Sequence, residues 1–267
     1  MKEQKFSKNE LDIILTNLKY YQIFKDKYLV KKYLDIDYGN KIGKLTFESF
    51  FDTAIKYTYS NQITDITFNN WNKILNDEDV SEEELFCTIL EIFVWGSVLT
   101  GNVKKAIELY KNKTLKSHIK QARFLLKSKE ILPQKGKSIG ELELLWSSGW
   151  TKVYSFIDND VLIYDSRVSA FLNHTLTYEI LDNEESIKTL KLLTKYLFNF
   201  KGNGNRERLV SKEFGFKNSH PNGVNGFNAN LIASWIIELL KEKLNLTESS
   251  RQFERAFFML GFDLKQI

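Results

Sequence analysis

Hydrophobic positions recur along most of this 267-residue chain at the three-and-four spacing of an amphipathic helix. In Ala229–Leu244, residues Ile232, Trp235, Ile236, Leu239 and Leu240 fall on one helical face. Arg251–Phe262 repeats the pattern with Phe253, Ala256, Phe257 and Leu260. Ile187, Leu190, Leu193, Leu197 and Phe198 mark another helix. Leu85–Leu99 is apolar nearly all round, as a buried central helix would be. The start signals agree: Ser7 with Glu10, and Ser81 with Glu84, fit the capping box, in which the two side chains satisfy each other's backbone N–H groups. Strand-like alternation is confined to short pieces such as Ile63–Phe68. The predicted class is mostly α.

Two stretches interrupt the helical pattern. Leu132–Ser138 contains Pro133 and Gly136 and reads as a hinge, which predicts an N-terminal helical lobe over 1–132 and a second lobe over 133–267. Lys201–Phe227 is rich in Gly and Asn and carries Lys201, Arg206, Arg208, Lys212, Lys217 and Pro221. A solvated connector and a functional loop are both open readings of it. The formal charge of +4 permits nucleic-acid binding without demanding it. Cys87 stands alone, so it has no partner within the chain and is expected at a buried helical position. His118, His174 and His220 lack the spacing of metal ligands, and no cofactor is expected. No stretch is long and apolar enough for a membrane helix, and lysine-rich Met1–Phe6 leads into no signal core. The expectation is a cytoplasmic monomer.

The segment Leu144–Val168 carries the chemistry. It reads as helix, tight turn at Gly149, helix, short connection, helix. Ser147, Ser148 and the amides before Thr151 are placed at a helix N-terminus, where free N–H groups suit a phosphate oxygen. Lys152 opens one helix, and Asp165, thirteen positions on, starts the next. Cleaving an N-glycosidic bond builds positive charge on the sugar, which a carboxylate stabilises. A partly buried amine can attack the anomeric carbon and form a Schiff base. Taken alone, the pair also fits an ordinary salt bridge.

The run Gly149, Trp150, Thr151, Lys152, followed by Ile163, Tyr164, Asp165, Ser166, Arg167 and Val168, resembles the hairpin and aspartate of the helix-hairpin-helix DNA glycosylase superfamily. The likeness is closest to bacterial proteins with the 8-oxoguanine DNA glycosylase fold. Asn228–Trp235 and Arg251–Phe262 resemble that group's C-terminal helices, so the likeness runs from about Ile139 onward. It implies a two-lobed helical fold, Lys152 as Schiff-base nucleophile and Asp165 as its support. It also implies double-stranded DNA as partner, with one nucleotide extruded into a cleft between the lobes. Ser147, Ser148, Gly149, Trp150, Thr151 and Arg167 become candidate DNA contacts, and Trp146, Tyr154, Asn230 and Trp235 candidate walls of a base pocket. Three departures stand out, one of them a Lys152-to-Asp165 interval shorter than in the eukaryotic oxoguanine enzymes. Trp146–Trp150 holds one glycine where the group's hairpin is Leu-Pro-Gly-Val-Gly, and the four-cysteine iron–sulfur cluster of one branch is absent. The implied activity is removal of an altered base, with or without strand cleavage. Repair of oxidised purines and antiviral removal of modified phage bases both fit it. A DNA-binding module that kept the scaffold without catalysis, and a helical interaction protein, are the rival readings.

Overall fold

The computed structural model describes residues 6–39, 42–57, 65–132, 138–139, 142–178, 184–202, 204–218 and 223–267. These form twelve α-helices and two two-stranded antiparallel ladders, so the chain is mostly helical. It divides into two compact units that do not follow chain order. A terminal unit comprises residues 1–58, 164–220 and 232–267, and a middle unit residues 59–163 and 221–231. This division differs from the boundary expected at 132/133. The reason is local: the helices just before that point and the helix carrying Lys152 contribute to one hydrophobic core.

The terminal unit opens with α1 (Lys8–Asn17) and α2 (Tyr20–Phe24), which runs into a π-helical turn. The hairpin β1 (Tyr33–Asp37) and β2 (Lys44–Phe47) follows, with Ile36 opposite Leu45, and then α3 (Phe50–Ile55). The capping box of Ser7 and Glu10 is formed as its spacing requires. In the middle unit lie α4 (Asp65–Asn76), α5 (Glu82–Trp95), α6 (Asn102–Lys111) and α7 (Leu115–Leu126). After them come β3 (Ser138–Ile139), β4 (Leu142–Glu143) and α8 (Ser148–Ile157). The chain then returns to the terminal unit with α9 (Ser166–Thr177) and α10 (Glu184–Thr194). The long helix α11 (Gly223–Leu244) supplies residues to both units, and α12 (Ser250–Leu260) closes the terminal one.

The terminal core is aromatic. Phe24 of α2, Phe50 of α3, Phe171 of α9 and Phe253 and Phe257 of α12 meet with ring centroids 5.0–6.4 Å apart, several edge to face. Each is fully buried, and removing one such ring costs about 3–5 kcal/mol. In the middle core, Trp71, Trp95 and Phe156 form a second cluster beside Phe93 and Trp150.

Four expectations are corrected here. Helix α5 buries Leu85, Thr88, Ile89, Ile92 and Phe93, but Cys87 and Val94 lie on the opposite face and are exposed. An apolar composition all round did not make a buried helix. Helix α10 stops at Thr194, and Leu197 and Phe198 are buried outside it, with Phe198 bridging to Lys217. The long loop is shorter than expected, because 223–227 already belong to α11. Of the strand-like piece Ile63–Phe68, residues 65–68 are helical in α4. The hinge residues Pro133 and Gly136, together with Ile63, His220 and Pro221, lie outside the described residues. No helix among the described residues is long and apolar enough to cross a membrane.

Candidate active site

The segment before Lys152 is not the first helix of a hairpin. Leu142–Glu143 is strand and Leu144–Trp146 is irregular, so α8 begins directly at the Ser147 cap. Gly149 is the second residue of α8 rather than a turn. Its lack of a side chain serves close approach: a methyl group there would sit 2.4 Å from Nδ2 of Asn102. Asn102 is what fills the space in front of the helix. Its Nδ2 donates to Val98 O at 2.6 Å, and its Oδ1 accepts from the Ser147 hydroxyl at 2.6 Å.

Ser147 is in extended conformation, and its Oγ accepts from Gly149 N at 3.2 Å and Trp150 N at 3.1 Å. Two amides expected to receive a phosphate are therefore already occupied by the chain's own cap. Ser148 is exposed, whereas Thr151 is buried and turns its hydroxyl back to Ser148 O at 3.2 Å. Of the expected DNA contacts on this helix, Ser148 offers the clearest surface. Trp150 does not: it is 2% exposed and packs edge-on against Phe93 and His118, centroids 5.5 and 5.1 Å away.

Lys152 is 9% exposed. Its Nζ donates to Ser148 O at 3.1 Å, back along the helix. Its stem lies across Gly96 at the end of α5, where a methyl group would come within 2.3 Å of Cδ and 2.5 Å of Cε. Gly96 thus makes the space in which this lysine is held. The C-terminal carbonyls of α8 are satisfied from α4: Asn72 donates to Phe156 O and Asn76 to Ile157 O, at 2.7 and 3.0 Å. The helix that carries Lys152 is fixed at both ends.

The expected base-pocket residues of the middle unit are occupied by structure. Tyr154 is fully buried and donates to Leu145 O at 2.5 Å; burial holds its phenol well above the ordinary range. Because that hydroxyl donates to the carbonyl, its oxygen accepts from His118 Nε2 at 3.4 Å, leaving the buried Nδ1 of His118 without a partner. Burial pushes the His118 imidazole down to about 4. Trp146 is half-buried with its indole against Gly226 of α11. Asn230 is buried inside α11, donating to Leu162 O at 3.2 Å. Asn228, two residues earlier, pairs with both backbone groups of Leu132: Oδ1 accepts from its N–H at 2.9 Å and Nδ2 donates to its carbonyl at 2.8 Å.

Asp165 belongs to the terminal unit, where it caps α9. Its Oδ1 accepts from Arg167 N at 2.9 Å and Val168 N at 3.0 Å. Its Oδ2 takes no hydrogen bond from the described residues, and the side chain is half-buried. The arrangement leaves one carboxylate oxygen fixed and the other available. Arg167 lays its guanidinium over Phe258 at 4.3 Å and Phe262 at 4.9 Å. Trp235, the fourth expected pocket residue, is 2% exposed in α11.

Sequence reasoning missed Gly96 and Asn102, which hold Lys152 and Ser147. Neither had a visible signal, since both act across the fold on residues far along the chain. Compared with known proteins, the chain matches no family model, no curated protein and no solved structure.

Proposed function

We propose that this chain is a DNA N-glycosylase, with Lys152 as nucleophile and Asp165 as the carboxylate that steadies the sugar cation. The observation that carries the reading is the containment of Lys152. A lysine kept for solubility extends into water, but this one is 9% exposed, lies over a glycine and is anchored near the start of its helix. Placing an amine so firmly costs side-chain entropy that attack on a sugar carbon would use. Asp165 supports the reading from its own helix: two backbone N–H groups orient the carboxylate through one oxygen and leave the other for developing positive charge.

In the proposed reaction the Lys152 amine attacks C1′ of an extruded nucleotide, and the base leaves with the glycosidic electron pair. Ring opening then yields an imine, from which β-elimination can follow. Borohydride reduces that imine to a stable adduct. The test is trapping on duplexes carrying oxidised, deaminated, alkylated or phage-type modified bases, with wild type, Lys152→Gln and Asp165→Asn. An adduct on one base, absent in Lys152→Gln, supports the nucleophile and names the substrate. An oxidised purine would point to repair, and a phage-type base to antiviral defence. Base release without trapping, lost in Asp165→Asn, would make water the nucleophile. DNA binding without base release from any duplex would sink catalysis on those substrates and favour the binding module.

A further inference from the structure

We infer that Arg206, presented on the ring of Phe262 together with Arg167, is a contact for the DNA phosphate backbone on the side of the molecule that carries Asp165. All the residues involved belong to the terminal unit. The guanidinium carbon of Arg206 lies 4.0 Å from the centroid of Phe262, and that of Arg167 lies 4.9 Å from the same centroid. Phe262 itself is 4% exposed, so the ring serves as a platform rather than a surface. Arg206 is half-buried and makes no hydrogen bond or ion pair with the described residues, which leaves its donors unspent. A guanidinium stacked on an aromatic face keeps its N–H edge directed away from the ring, in the fork that matches a phosphate.

The platform is rigidly built. Arg208, 5% exposed, donates from Nε to Phe262 O at 3.2 Å and from Nη1 to the Ser166 hydroxyl at 2.9 Å. Glu207 is spliced to the following turn in both directions: its N–H donates to Asp263 Oδ1 at 2.9 Å, and its carbonyl accepts from Leu264 N at 2.8 Å. Glu207 accepts from Leu209 N, and Asp263 from Glu207 N and Lys265 N, so each carboxylate is held on backbone amides rather than paired with Arg206. Two arginines therefore share the Phe262 ring and a third ties down its backbone carbonyl, a concentration of positive charge that suits an anion.

The anion is identified by what lies beside it. Ser166, tied to Arg208, is the residue after Asp165, and Arg167 is the next. A nucleotide with its sugar at Asp165 carries a phosphodiester on each side, and Ser166, held by Arg208, and Arg167 follow that aspartate directly in the chain. The role in catalysis rests on the glycosylase reading; the binding itself does not.

The test is fluorescence anisotropy on an unmodified duplex over a salt series, with wild type, Arg206→Ala, Arg206→Lys, Arg206→Gln and a control, Lys105→Ala, on α6. Arg206→Ala is expected to weaken binding several-fold and to reduce the slope of log K against log salt by about 1. Arg206→Lys should keep the slope and recover part of the affinity, and Lys105→Ala should change neither. Arg206→Gln carries the comparison if the alanine variant fails to fold by circular dichroism. Wild-type slope and affinity in folded Arg206→Ala or Arg206→Gln would overturn the inference, as would wild type that binds no duplex. Arg206-dependent binding without base release would keep this site and remove the glycosylase. Base release with Arg206-independent binding would do the reverse.

Discussion

The N-termini of α8 and α9 are built on the same cap geometry and end in opposite chemical states. At α8 a serine hydroxyl accepts from the amides two and three residues on, and spends its own proton on Asn102. At α9 an aspartate oxygen accepts from the amides two and three residues on, and the second oxygen is left over. The first is a closed circuit of neutral groups, fit for holding a helix. The second is half a circuit that still carries charge. The comparison separates the residues that position from those that can react: at α8 the reactive candidate is not the cap but Lys152, one turn along, and at α9 it is the cap itself.

The sharpest way to break this contrast is to remove the reactive group at each end. Lys152→Gln should abolish trapped adduct, and Asp165→Asn should slow base release by about 10²–10³-fold. The latter should leave thermal unfolding within about 0.5 kcal/mol of wild type, because asparagine caps as well as aspartate. A large loss of stability in Asp165→Asn would mean that the carboxylate is structural. Next in size is acid. His118 in the middle unit and His174 in the terminal unit are both pushed down to about 4 by burial, His174 with help from Lys31. An unfolded histidine titrates near 6.5. Between those values the unfolded chain binds more protons, so stability falls as pH drops from about 6.5 to 4, by up to about 3 kcal/mol for each group. Urea midpoints across that range in wild type and His118→Phe would show it, and equal pH slopes in the two would count against His118.

Gly149→Ala should then cost about 1–3 kcal/mol, because its methyl group meets the Asn102 amide. Ser147→Ala should cost about 1–2 kcal/mol for the lost cap and the abandoned Asn102 oxygen. Gly96→Ala sharpens the contrast most narrowly. Its methyl group meets only the flexible stem of Lys152 at the shortest distances, so it should change stability by under about 1 kcal/mol and reduce trapping strongly. Calorimetry and the trapping gel on the same preparation would separate the two effects.

Helical content and the positions of several helices were legible in the sequence, because caps and spacing are local. The Ser7–Glu10 box formed as read, and the buried face of α12 falls where the periodicity put it; α11, read as one-faced, is instead buried on all sides from 226 to 237, Leu231, Ala233, Ser234 and Ile237 included. What failed was whatever depends on a distant partner. Gly149 was read as a turn because glycine permits one, but its actual constraint is Asn102, forty-seven positions earlier. Asn230 was read as a pocket wall, yet it spends its amide on Leu162 O, a backbone group of another segment. Cys87 and Val94 lie on the outward side of α5, a side that apolar composition alone could not reveal. Of the candidate site, the place of Asp165 at a helix start was readable, but Lys152, expected to open its helix, is the fifth residue of α8, and the burial of Trp150, Tyr154 and Trp235 was not readable. Aromatic residues have the same sequence signature in a pocket and in a core.

The interleaving of the two units has a consequence for how the molecule is made. Residues 1–58 share a compact unit with 232–267, so on a ribosome the first of these segments must wait for the second before their common core closes. Phe24 and Phe50 find Phe253 and Phe257 only after the long intervening stretch of chain has been made. Such long-range closure slows folding and leaves apolar rings uncovered in the interval. The middle stretch 59–163 lacks only 221–231 to complete its own unit, and so has the shorter wait. Synthesis would therefore assemble the Lys152 helix into its core before the Asp165 helix gains the full packing of α12.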